Sequence, residues 1–225
     1  MTKTLRYAVK HSFPIFISFI PVGLAYGVLM ESAGYNFLWT GACSLFVMAG
    51  SLQYLMVSFF AGGVSLATVA IMALLLNSRH IFYGLSFIEK FRSFGFWKYF
   101  LIYSLTDENY SLHCSHDFPD DIDEKWAYVL TAVMPVLYWI FLSVAGALIG
   151  TLIPFDTTGI DFALTALFLV VFLEQWLTAK KHGPALIGVG ASVVSLMIFG
   201  TDSFLIPAMI GIGVMLGLYR EEAAA

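Results

Sequence analysis

The chain is poor in charge, in cysteine and in every short motif that marks an enzyme. Only 12% of its 225 residues are Asp, Glu, Lys or Arg, roughly half the share of an ordinary globular domain. That excludes a solvated surface of normal extent, and with it a soluble domain. The 11 basic residues are scattered, so there is no basic patch for nucleic acid. Two cysteines, Cys43 and Cys114, make no disulfide framework. No HExxH, GxGD, GxSG or Walker A stretch occurs, which removes the commonest zinc-protease arrangement and ATP hydrolysis by a P-loop. His113 and His116 beside Cys114 make an HxxH without a second ligand pair, so the reading there is a solvated acidic loop and not a metal site. No cofactor is implied. Short alternating strands of about 10 residues, the mark of a membrane barrel, are absent too.

What the chain has is apolar length. It is 60% hydrophobic, with a mean hydropathy of +0.85, arranged in long blocks. A run of about 20 such residues crosses a bilayer. The expected fold is an all-α integral membrane protein, a polytopic helical bundle of about seven or eight spans with some broken or re-entrant helices. It forms one transporter domain over residues 1–225. The spans read as 13–30, 36–62, 64–88, 97–112, 126–153, 162–177, 184–200 and 204–219. A flank at 1–12 carries Lys3, Arg6 and Lys10. It looks superficially like a signal peptide, yet no small-residue cleavage site follows, so a retained first span is expected. A polar acidic loop fills 113–125 and a tail 221–225.

Lys and Arg in short loops set orientation. The N-terminal flank, the Lys180–Lys181 turn and Arg220 are expected in the cytoplasm. Eight spans then put the Lys90/Arg92/Lys98 loop outside, against the rule. A re-entrant segment near Ala49 or Tyr103 shifts the parity, and a second one restores it. Small-xxx-small pairs at Gly23/Gly27, Gly146/Gly150 and Gly213/Gly217 let backbones approach, either within the chain or toward a partner.

The chain is organised around Ala73–Ser86, ALLLNSRHIFYGLS. Arg79 falls at mid-span, where a guanidinium costs roughly 2.5–3.5 kcal/mol on insertion scales. It persists only against protein, water or an anion, so neighbouring segments must wrap a polar spot. The polar residues carried by apolar spans are Tyr26, Ser51, Gln53, Asn77, Arg79, His80 and Tyr83, a set that suits binding or translocation of a small polar or zwitterionic solute. Arg79 meets either a substrate carboxylate or Asp107. Gln53 holds either a zwitterion or another helix. Asp107 and Glu108 face either a cavity or a watery helix end. Glu174 is either a snorkelling side chain or a proton carrier, and with His80, Asp107 and Glu108 it completes the candidates for ion coupling. Helix breaks are expected at Pro21, Gly50 and Gly84, and also at Asn77, where freed backbone groups serve ligands in transporters.

Five stretches together carry a resemblance. They are FPIFISFIPVGLAYGVL at 13–29, AGSLQY at 49–54, NSRHIFYGLS at 77–86, LTDE at 105–108 and DFALTALFLVVFL at 161–173. RHxxYG followed by LTDE is the specific pair. In these residues the chain resembles the AzlC family, the large subunit of bacterial branched-chain amino acid export permeases. Gln53, Arg79, His80, Tyr83, Gly84, Thr106, Asp107 and Glu108 match by position. One departure is Leu52, where the family carries serine; Ser51 stands one place earlier. The resemblance implies a bacterial inner-membrane secondary transporter subunit, not an enzyme, that exports valine, leucine, isoleucine or similar amino acids. It also implies a small AzlD-like membrane partner. A passive channel, a carrier of another small solute, a membrane enzyme and a purely structural subunit are the alternatives.

Overall fold

A computed structural model describes residues 2–114, 118–119, 122–152 and 181–224, with single positions between 162 and 179. All regular structure among the described residues is helical. The helices are α1 (Thr2–Ser32), α2 (Phe37–Phe46), α3 (Gly50–Gly62), α4 (Leu66–Arg92), α5 (Trp97–Tyr103), α6 (Asp107–Cys114), α7 (Glu124–Leu152), α8 (Gly183–Ser203) and α9 (Leu205–Ala224). Of these, α1, α4, α7 and α8 are long and apolar enough to cross a membrane. Glu174 and more than half of the span expected at 162–177 lie outside the described residues. The chain divides into two compact units, Met1–Thr165 and Ala166–Ala225.

In the first unit α1 and α7 run parallel, in contact along their length. Ser12 and Tyr138 share a hydroxyl hydrogen bond of 3.1 Å, and Phe19 meets Trp139 edge-on at 5.3 Å. Further along, Gly23 abuts Leu142, Gly27 abuts Ser143 and Gly146, and Gly150 abuts Glu31. A Cβ on Gly27 or Gly146 would sit inside the partner's backbone. Two small-xxx-small pairs thus pack on each other inside the chain. Pro21 lies in the unbroken α1, and so does Pro14. The break expected at Pro21 is absent. Proline removes one backbone donor and crowds the carbonyl four residues back, a defect that packed membrane helices accommodate.

Between α1 and α7 the chain makes one full return, α4, and two half-way excursions. The span expected at 36–62 is a hairpin. Asn36 caps α2, its Oδ1 accepting from Leu38 and Trp39 N–H. The helix then stops at Val47, and Met48 takes a φ of 42°. That left-handed conformation is strained for a side chain of this kind. The chain reverses there, and α3 runs back until Gly63 ends it in the left-handed region. The tip reaches mid-depth, because Gln53 meets Trp139 and Tyr54 Oη donates to the Val22 carbonyl. The far end of α3 returns to where it started, with Phe60 packed 4.6 Å from Tyr35.

The short span expected at 97–112 is a second hairpin, entering from the opposite end. Trp97 packs on Trp126 near the start of α7, and α5 rises to Ser104–Thr106. From there α6 descends to His113, which sits among Phe87, Phe91 and Tyr128. Along this α6 line, α4 is unbroken from Leu66 to Arg92. The interruptions expected at Asn77 and Gly84 are therefore absent; a single glycine with open space around it bends nothing. The lower end of α4 pairs Lys90 with Glu124, so the Lys90–Lys98 loop lies at the same end as the N-terminal flank. Two hairpins in place of two spans remove the violation of the positive-inside rule.

The second unit holds α8 and α9, antiparallel. Gly183 faces Tyr219, and Ala191 lies 4.0 Å from the Cβ position of Gly211. Gly200, at φ 71°, kinks the end of α8. Space beside Gly213 and Gly217 is open among the described residues.

Candidate functional site

The tips of the two hairpins meet Arg79, half-way along the 27-residue α4. Arg79 Nη1 lies 2.9 Å from Asp107 Oδ2. The other carboxylate oxygen, Oδ1, accepts from Tyr83 Oη at 2.7 Å. On the opposite side of the guanidinium, Nη2 donates to Ser51 Oγ at 3.3 Å. Arg79 Nε is buried without a hydrogen-bond partner among the described residues. Both members of the ion pair stay partly open, with side-chain exposures of 34% and 39%. The pair therefore faces accessible space and is not sealed in the protein.

Each partner is placed by its element. Asp107 and Glu108 open α6, where the positive end of the helix dipole favours a carboxylate. They mark a helix end, but one at mid-depth and not at the water interface. Tyr83 stands one turn after Arg79 on the same face of α4, and its ring stacks on Tyr110 of α6 at 4.3 Å. His80 is partly buried, with its ring edge to Tyr83 at 5.7 Å. Asn77 is partly buried on the preceding turn.

Two expected site residues are elsewhere. Gln53 is 0% exposed. Its Nε2 donates to Ser44 Oγ at 3.4 Å, and its Oε1 accepts from Trp139 Nε1 at 2.9 Å. It ties the first hairpin to α7, the second of the two roles open in the sequence. Tyr26 is fully buried, with its ring against Trp139 at 5.8 Å and Tyr54 at 5.5 Å. Neither side chain reaches Arg79. Gly50, by contrast, is the first residue of α3, just past the reversal.

The two halves repeat each other in inverted orientation. Tyr26–Gly27 in α1 and Tyr83–Gly84 in α4 are 57 residues apart, as are the first residues of α3 and α6, Gly50 and Asp107. Tyr54 packs on Tyr26 as Tyr110 packs on Tyr83. Just before those tyrosines stand two buried amides, Gln53 and Asn109. Each binds α7: Gln53 through Trp139, and Asn109 through the Ala132 carbonyl at 3.5 Å. In the 56-residue register of those tyrosines and amides, one short of the 57 that relates the helix starts, Ser51 stands opposite Asp107. The AYG and FYG pairs were the visible signal of the repeat, and reading spans one at a time hides it.

This is a multi-pass membrane protein in which a mid-depth ion pair is held between two half-helices entering from opposite ends, an arrangement met in solute transporters. The chain belongs to the AzlC family: the profile described as AzlC protein matches residues 14–153. It is 37% identical over 216 residues to the branched-chain amino acid transport protein AzlC of Bacillus subtilis, covering 96% of this chain and 85% of that one. An uncharacterized membrane protein of Haemophilus influenzae is 35% identical, over 96% of this chain and 89% of its own length. The inner membrane protein YgaZ of Escherichia coli is 26% identical, over 95% and 88%. No solved structure matches.

Proposed function

We propose that the chain is the larger subunit of a secondary transporter that exports branched-chain or similar hydrophobic amino acids across the bacterial inner membrane. The observation that carries this reading is the partly open Arg79–Asp107 pair between the two hairpin tips. A zwitterionic solute presents one carboxylate and one ammonium, and this pair offers one partner for each. The printed name of the Bacillus subtilis relative supports the substrate class. The chain carries no Walker A loop, so an ion gradient or the solute's own gradient drives the step. Asp107, Glu108 and His80 are the proton carriers at hand, with Glu174 the further candidate from the sequence. A small AzlD-like membrane subunit completes the transporter. The outward face of α4 suits lipid or such a partner, since Leu74, Ile81, Phe82 and Leu85 are exposed.

The test is uptake and counterflow of labelled leucine and valine in liposomes, with the chain alone and with the small subunit. Saturable exchange that disappears in Arg79→Ala, from protein still inserted in the membrane, supports the reading. Flux that does not saturate identifies a passive channel. Normal exchange by Arg79→Ala overturns the site.

A further inference from the structure

The inverted repeat makes the two sides of Arg79 unequal. At the tip of the second hairpin, α6 brings its own carboxylate, Asp107, to one side of Arg79. At the tip of the first, α3 brings none: the counterpart is Ser51, and Gly50 precedes it. No side chain caps α3, although Asn36 caps α2 and Ser65 caps α4. The first backbone N–H of α3 with a helical partner belongs to Gln53, which bonds the Ala49 carbonyl. The N–H groups of Gly50, Ser51 and Leu52 are left over by helix geometry. Beside them stands the Nη2 edge of Arg79, held only by a long 3.3 Å bond to Ser51, and the buried Nε is unpaired among the described residues. One side of the guanidinium is neutralised, and on the other only the Ser51 hydroxyl stands against the cation among the described residues.

Resting on the transport reading above, we infer that the substrate's carboxylate binds on the Ser51 side of Arg79, in the place that Asp107 occupies on the other side. Arg79 then holds two carboxylates at once, one built in and one brought by the solute. The substrate ammonium is left to face Asp107 across the guanidinium's edge. The site thus selects α-amino acids over amines of the same side chain, because the amine leaves the α3 amides and Nη2 without an acceptor.

The experiment uses purified full-length protein in which Cys43 and Cys114 are replaced by alanine and serine, so that Ser51→Cys supplies the reactive thiol. Labelling of Cys at position 51 by an anionic methanethiosulfonate is followed with and without leucine. Saturating leucine is expected to slow labelling about tenfold, while isoamylamine, which lacks the carboxylate, is expected to leave it unchanged. A companion variant, Ser51→Asp, supplies a carboxylate on that side and is expected to weaken leucine protection against heat at least about tenfold in concentration. The double variant Ser51→Asp/Asp107→Ser exchanges the two sides and is expected to recover part of the loss. Labelling unaffected by leucine, in protein that leucine still stabilises, overturns the inference and leaves the transport reading standing; equal protection by isoamylamine overturns it too. Failure of leucine and valine to stabilise the unsubstituted protein at any concentration overturns the transport reading, and the inference with it.

Discussion

Arg79 binds in two directions, to Asp107 and to Ser51, and Asp107 in turn accepts from Tyr83. A cation at mid-depth is tolerated because an anion and a hydroxyl stand within 3.3 Å of it. Removing the anion leaves it exposed to the bilayer interior. Asp107→Asn is therefore expected to lower the melting temperature of the purified protein more than Tyr83→Phe does. Tyr83→Phe keeps the ring stacked on Tyr110 and deletes only one donor to Oδ1. A single hydrogen bond to a charged group contributes about 1.5–3 kcal/mol, so Tyr83→Phe is expected to raise the KM for leucine at least about tenfold, read in liposomes. An unchanged KM would place the Tyr83 hydroxyl outside the binding event. Arg79, Ser51, Tyr83 and Asp107 were all legible as polar residues in apolar surroundings. The Arg79–Asp107 pair is one of the two readings the sequence leaves open, whereas Ser51, 28 residues from Arg79, joins it only through the fold. Gln53 and Tyr26 carry the same polar signal and turn out to hold helices together.

The hairpins were the hardest elements to read. Residues 36–62 are apolar for long enough to cross a membrane, and hydropathy has no term for a reversal half-way. The reversal at Val47–Ala49 contains neither proline nor positive-φ glycine, the usual punctuation of a turn; Met48 carries the strain instead. Proline misled in the other direction, since α1 runs through Pro21. The glycines of α1 and α7, by contrast, act as their spacing suggests. Gly27 faces the backbone of Ser143, Gly146 and Ala147 with no room for a methyl group. Gly27→Leu is expected to force the two helices apart and to destabilise the protein by several kcal/mol, on the scale of core overpacking and beyond. Gly84→Ala, whose Cβ meets open space, is expected to stabilise by up to about 1 kcal/mol on the helix-propensity scale. Thermal melts of both variants in detergent make the comparison.

At the scale of the whole molecule, α1, α4 and α7 with their two hairpins fix which loops share a side. Single cysteines placed in a background lacking Cys43 and Cys114 report this directly. Ser93→Cys, between α4 and α5, is expected to react with a membrane-impermeant thiol reagent from the same side as a tag on the N-terminus. Ala33→Cys, between α1 and α2, is expected to react only from the other side. Reaction of both from one side would mean that α1 or α4 does not cross, or that residues 36–62 do. The same arrangement has an electrical consequence. The two half-helices α3 and α6 begin within reach of one guanidinium, so two positive dipole ends and a fixed cation converge near the middle of the bilayer. A free sodium ion travelling the same route meets a barrier there, as half-helix ends provide in water pores, and a proton passes only on a titratable side chain. A protein built this way can open a path for a solute without short-circuiting the membrane voltage on which the rest of the cell depends.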